Sequence, residues 1–243
     1  MSRLPSRAIT DDAARPPLKL LVHENLGGTV YQMLCDGLIK GQFRPGDRLK
    51  IRDIAEQLGT SVTPVRDALL RLVQDQALTM RSARDTRVPL MTAKDYAEIR
   101  AIRLRLEGLA AETAAGLATP AQIGLLEDVL RRNEEAIARQ DRNGATELNQ
   151  IFHFQLASIA GLPILQNILS RLWMRMGPMI AEVYEASGRD MIDYHYPIVE
   201  AIRRHDGPAA AAAMRDDIVK GGHAIGERLD QAVATEMPDI APD

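Results

Sequence analysis

The sequence predicts a mainly α-helical chain: an N-terminal winged helix-turn-helix with a small β-hairpin wing, then a C-terminal all-α helical bundle. Three observations predict this. Two apolar-periodic segments flank a short turn at Gly59, the period changes from helical to strand-like after Leu78, and from about Lys94 to about Val233 the pattern is almost wholly helical. Only 4% of residues are aromatic, while Ala, Leu, Arg and Ile abound, which speaks against an all-β chain.

The elements follow in order. Residues 1–17 are polar and carry Pro5, Pro16 and Pro17, the character of a terminal arm. From about Asn25 to Lys40, Val30, Leu34, Leu38 and Ile39 recur at helical spacing, with Asn25 or Thr29 as the cap. Gly41, Pro45 and Gly46 then impose a loop. A short helix is expected from Ile51 to Leu58, ending at Gly59, where a left-handed residue closes a helix without steric cost. Ser61 or Thr63 is placed to cap the next helix, and Pro64 fits its first turn, where a missing N–H is tolerated. Val65, Ala68, Leu69, Leu72 and Val73 make its buried face.

The segment LTMRSARDTRVPLM has a polar centre between apolar ends and reads as a two-stranded hairpin. Beyond it, breaks near Thr119–Pro120, Asp141–Gly144, Gly161–Pro163, Gly177–Pro178, Ser187–Gly188 and His205–Pro208 divide the rest into six or seven helices. The expected organisation is an arm over 1–17, the winged helix-turn-helix over 18–91, the bundle over 92–235 and a tail over 236–243.

Composition narrows the function. The single Cys35 excludes an intramolecular disulfide framework and a cysteine zinc cluster, and suits a reducing compartment. No apolar run approaches the roughly 20 residues that span a bilayer, and the first 20 residues lack a signal-peptide core, so a cytoplasmic location is expected. There is no Gly-rich phosphate loop. The net charge is −3, yet residues 44–87 hold nine Lys or Arg against six Asp or Glu, a local +3 that leaves −6 elsewhere. A polyanion suits the first region, although such charges also simply solvate a surface.

Gly41, Phe43, Pro45–Gly46, Leu49, the segment IRDIAEQLG and the segment TPVRDALLRL together resemble the winged-helix domain of GntR-type bacterial transcription regulators. The second half resembles the FCD effector domain of the FadR branch, in RLRLE at 103–107, Phe152–His153, HYPIVEAI at 195–202 and Ala213–Met214. The resemblance implies a homodimeric, ligand-responsive DNA-binding regulator and not an enzyme. Such proteins are most often repressors of small organic-acid catabolism or transport, with double-stranded operator DNA and a small carboxylate effector as partners and no membrane partner.

It also implies site residues. Arg52 in the bracing helix, Ser61, Thr63 and Arg66 at the start of the recognition helix, and Arg81 and Arg84 in the wing match DNA-contacting positions. Val62 stands where many relatives have an arginine that donates to guanine. Its absence removes a base contact worth roughly 1–3 kcal/mol of discrimination and leaves a side chain suited to a thymine methyl. Arg66 has an alternative role in an ion pair with Asp67.

Asn149 and His153 are four apart and share one helix face. In metal-binding FCD domains an Asp and a His on this helix join two later histidines. The matching positions here are Asn149, His153, His195 and Asp217, a set that suits a divalent zinc, nickel, manganese or iron ion. The alternative is that the two histidines bond a bound anion or Asp217 with no ion present. His223, six residues beyond Asp217, falls about 240° further round a helix and is expected to face elsewhere. Arg103 is the candidate second grip on the effector carboxylate, with a simple helix pair to Glu107 as its alternative. Trp173, Met174, Met176 and Tyr184 are candidate lining. Two rival functions remain, a metal-dependent hydrolase and an effector sensor that acts only by protein contact.

Overall fold

The computed structural model describes residues 26–236, apart from Ala83 and Gly188. The expected arm, the cap Asn25, the wing residue Ala83 and the tail beyond Glu236 lie outside the described residues.

Helix α1, Leu26–Ile39, buries Val30, Leu34, Cys35, Leu38 and Ile39. Strand β1, Arg48–Leu49, leads into α2, Ile51–Gln57, and the turn after it brings in Gly59 at φ +61°, as its position foretells. Helix α3, Val62–Gln74, buries Pro64, Val65, Ala68, Leu69 and Leu72. Ser61 occupies its N-cap position in an extended conformation, but its side chain makes no capping hydrogen bond. Strands β2, Thr79–Ser82, and β3, Asp85–Arg87, form the hairpin, with a bulge between Met80 and Ser82.

The sheet has a third strand that periodicity did not reveal. β1 pairs antiparallel with β3, Arg48 opposite Arg87 and Leu49 opposite Thr86, giving the order β1-β3-β2. Two residues are too few to show an alternation, so this strand is specified by its partner rather than by its own sequence.

The bundle comprises α4 (Ala93–Leu117), α5 (Pro120–Ala138), α6 (Arg142–Ile159), α7 (Pro163–Ser187), the short α8 (Asp190–Asp193), α9 (His195–Arg203), α10 (Gly207–Asp216), a π-helical segment (Asp217–Gly221) and α11 (His223–Glu236). The caps explain most boundaries. Thr92 with Asp95 and Thr119 with Gln122 form capping boxes, and the Asp141 and Asp206 carboxylates accept from Gly144 and Ala209 amides. Among the described residues no helix is long and apolar enough to cross a membrane.

One expected break is absent. α7 runs through Gly177–Pro178, although proline removes a helical hydrogen bond at a cost of about 3 kcal/mol. Burial on both sides of the proline, by Trp173, Met174, Met176, Ile180 and Ala181, holds the helix together. Gly177 is required by a close crossing: a Cβ there would lie 2.2 Å from the Leu38 carbonyl oxygen and 2.5 Å from that of Ile39. α7 therefore abuts the end of α1; Lys40, just beyond α1, pairs with Glu147 of α6 at 2.7 Å, and Arg171 of α7 pairs with Asp75 at the end of α3 at 3.5 Å. Asp75 also accepts from Tyr31 Oη at 2.7 Å, and the Arg71 guanidinium stacks over the Tyr31 ring. The C-terminal end of α3 is thus fastened both to α1 and to α7.

Candidate functional sites: an exposed helix face and a buried cavity

The N-terminal end of α3 projects its polar side chains outward. Arg52, Ser61, Thr63 and Arg66 are exposed, and Val62 retains 40% of its surface. The guanidinium groups of Arg52, Arg66, Arg81 and Arg84 make no ion pair among the described residues, so the alternative pairing of Arg66 with Asp67 is not formed. Arg87 differs, because Asp85 holds its Nε at 2.8 Å. The opposite side of α3 carries Val65, Ala68, Leu69 and Leu72 into the core. Uncapped amides at the start of α3 add donors and the positive end of the helix dipole to the same surface.

The second site is inside the bundle. His153 from α6, His195 at the start of α9 and Asp217 at the start of the π segment converge although 64 residues separate the first from the last in sequence. Each offers one ligand atom, and these atoms lie within 4.8 Å of one another. Asp217 Oδ2 is 3.6 Å from His153 Nε2, and Asp217 Oδ1 is 3.3 Å from His195 Nε2. A tetrahedral ion with ligands at about 2.1 Å would set them about 3.4 Å apart. Asn149 and Arg103 share the wall of a small cavity with Ile180, Met191 and Ile218. Its free space of about 20 Å³ accommodates one ion or water.

A residue that the sequence reading assigned only to a helix pair orders this site. Glu107 on α4 takes Arg103 Nε on Oε1 and stands 2.6 Å from His153 Nδ1 through Oε2, which turns the other ring nitrogen towards Asp217. That is the carboxylate–histidine arrangement that commonly supports a metal ligand. Its signal was present in the i, i+4 spacing of Arg103 and Glu107, but the long-range contact to His153 was not. Trp173 and Met176 stand behind the site and not on its wall: Trp173 packs against the His153 ring and the Arg103 guanidinium, and Met176 Sδ lies 3.9 Å from Arg103 Nη1. Phe152 stacks on His195 with centroids 4.2 Å apart. His223 is exposed beside Glu227, away from the cavity as expected.

The electrostatics are consistent with a cation. Burial opposes ionisation of Glu107, but the Arg103 guanidinium and the His153 ring outweigh it and hold the carboxyl well below the ordinary range. Burial likewise opposes ionisation of Asp217, and His195, His153 and Arg103 together hold its carboxyl below the usual value. Burial lowers the His195 pKa against the pull of Asp217, favouring the neutral imidazole that a metal requires. Two buried carboxylates and one guanidinium surround the two imidazoles, a donor set that suits a divalent cation. Both His195 ring nitrogens are buried without a hydrogen-bond partner, and an ion or water on the Asp217 side would satisfy Nε2. The residues fit a divalent ion, and the His153, His195 and Asp217 cluster can coordinate one.

A helix-turn-helix and wing joined to a helical bundle with a buried polar cavity define a transcription regulator with its own sensing domain. Residues 98–219 match the FCD domain and residues 26–88 match the bacterial regulatory proteins of the gntR family. The chain belongs to the GntR family, in the branch that carries an FCD effector domain, and is a DNA-binding regulator rather than an enzyme. It is 34% identical over 188 residues to the transcriptional regulator McbR of Escherichia coli K12, covering 76% of this chain and 85% of McbR. The solved E. coli McbR/YncC structure superimposes with a TM-score of 0.72 at 30% identity, covering 88% of this chain and 97% of that one. The E. coli repressor RspR is 24% identical over 76% of this chain and 82% of its own length.

Proposed function

We propose that this protein is a homodimeric, metal-assisted repressor of a small organic-acid operon, whose winged helices read two half-sites of an operator and whose bundle senses a small carboxylate. The observation that carries the reading is the buried His153, His195 and Asp217 cluster, set in a bundle that is fastened to the C-terminal end of α3. Arg52, Ser61, Val62, Thr63 and Arg66 face the major groove, with Arg81 and Arg84 on flanking phosphates or the minor groove. Their exposure and lack of internal ion pairs support this assignment, since free guanidinium groups serve an outside anion without losing an internal one.

In the bundle, His153, His195 and Asp217 hold a divalent ion, with Asn149 as a weaker neutral oxygen donor. The mixed nitrogen and oxygen set suits zinc, nickel, manganese or iron. Such an ion supplies an open coordination position for the effector carboxylate, with Arg103 beside it. The cavity admits no carboxylate effector in its present size, so binding requires its wall to move, and that wall includes the π segment, an irregularity frequent at functional sites. The effector shifts the population of bundle arrangements, and α7 and α1 carry the difference to α3.

Metal analysis of the untagged protein, alone and as His153→Ala and His195→Ala, tests the centre. The reading expects about one ion per chain in the parent and its loss in both variants; unchanged metal content in the variants refutes the ligand set. The rival sensor that works only by protein contact predicts that Arg66→Ala leaves DNA binding untouched.

A further inference from the structure

Much of the buried cavity is walled by long helices packed into the interior: Arg103 comes from α4, Asn149 and His153 from α6, and Ile180 from α7. A different stretch of wall is the π segment and the residue after it, which supply Asp217, Ile218, Gly221 and Gly222. Gly221 also lines an outer groove of about 500 Å³, where Lys220 and His223 are exposed. At this position the cavity and the groove are separated by backbone alone.

The same turn is fastened from α4. Tyr96 Oη, in the first turn of that helix, donates to the Gly222 carbonyl at 2.8 Å, across 126 residues of sequence. Its neighbour Asp95 is held by the Thr92 cap and by Arg175 of α7 at 3.2 Å, so the phenol is mounted on a fixed base. The approach is close: a Cβ on Gly222 would lie 2.8 Å from Tyr96 Oη and 2.6 Å from the Ile218 carbonyl oxygen. The Gly222 N–H in turn donates to the Asp217 carbonyl at 3.2 Å, which closes the π turn. The residue that Tyr96 holds and the candidate metal ligand are therefore the two ends of one turn. π-helical geometry and two adjacent glycines make that turn easier to unwind than the α-helices around it.

We propose that this turn is the door to the cavity and Tyr96 its latch: when the phenol releases Gly222, the turn swings outward at Gly221 and admits a divalent ion from the groove. This rests on the reading of the cavity as a metal site and adds the route of entry. Asp217 moves with the turn, so an ion leaves as that ligand is withdrawn. The latch exists only while the door is shut, and it opposes opening equally whether the cavity is empty or filled.

Zinc kinetics on the full chain test the door. The single tryptophan, Trp173, packs against the His153 ring and reports zinc uptake by its fluorescence, while transfer to excess EDTA reports release. Tyr96→Phe removes the hydroxyl and keeps the ring. It should raise uptake and release alike, about three- to tenfold, and leave the zinc dissociation constant within about twofold of the parent's. Faster release with unchanged uptake would make Tyr96 a mere support for Asp217 and overturns the door; two unchanged rates overturn the latch. Amide exchange in the metal-free chain is an independent readout. Tyr96→Phe should speed exchange over residues 218–222 and leave α6 unaffected, and unchanged exchange there overturns the latch whether or not zinc binds. A parent that takes up no zinc overturns the metal centre, and the exchange result then decides the door.

Discussion

Arg66 on α3 and Arg103 on α4 carry the same guanidinium in opposite surroundings. Arg66 is exposed and unpaired by any carboxylate of the described chain. Arg103 is buried, with Nε and Nη2 on Glu107 and its plane over Trp173. The first is free for a partner outside the molecule. The second is bound into a network of Arg103, Glu107, His153, Asp217 and His195 in which each group holds the next. Function on the exposed face is therefore separable from stability, while in the cavity the two are joined.

Substitutions can break that contrast, and the largest effect is expected at Glu107. Glu107→Ala removes the carboxylate to which the buried Arg103 is hydrogen-bonded and frees His153, which should cost about 3–5 kcal/mol in a urea unfolding series. A loss under about 1 kcal/mol would show that the network is not holding the bundle. Glu107→Gln keeps the shape and removes the charge; metal affinity should fall about 10–100-fold by competition with a chromogenic chelator.

Acid provides an independent check. The folded Glu107 pKa lies below its unfolded value, so its contribution to stability is fully present above the ordinary carboxylate value of about 4.3 and is lost as pH falls through the lower folded value. In metal-free protein, the stability difference between parent and Glu107→Gln should therefore shrink only below about pH 4. A difference that vanished already between pH 7 and 5 would assign the effect to another group.

On the exposed face the expected pattern reverses. Arg66→Ala should change stability by less than about 0.5 kcal/mol and weaken operator binding by about 1–3 kcal/mol. The smallest change in total affinity is expected for Val62→Arg, which adds a donor at the tip of α3. Binding selection on randomised duplexes should then show a new guanine preference with overall affinity little altered, and an unchanged base preference would place Val62 outside the groove.

The same contrast decides how much the sequence disclosed. The recognition helix was legible because its signals are local: Gly59 at a left-handed turn, Pro64 in the first turn, and one apolar face. The helix breaks near Thr119–Pro120 and Asp141–Gly144 were legible for the same reason, and the structure shows Thr119 and Asp141 as the caps there. Resemblance to the FCD domain brought His153, His195 and Asp217 together, which no local rule does. The role of Glu107 stayed hidden because its decisive contact is with a residue 46 positions away. The continuity of α7 through Pro178 and the pairing of β1 were likewise settled by tertiary packing against local preference.

The most direct test of the whole account is a fluorescence-anisotropy titration of the full chain, at one fixed salt concentration, with the intergenic DNA upstream of its own gene and with a scrambled duplex of equal length. A DNA-binding regulator should favour the intergenic duplex by at least about 10³-fold, and Arg66→Ala should cut that margin by about 5- to 150-fold. Equal affinity for the two duplexes, or a margin that Arg66→Ala leaves intact, would contradict the assignment of α3 as the reading helix.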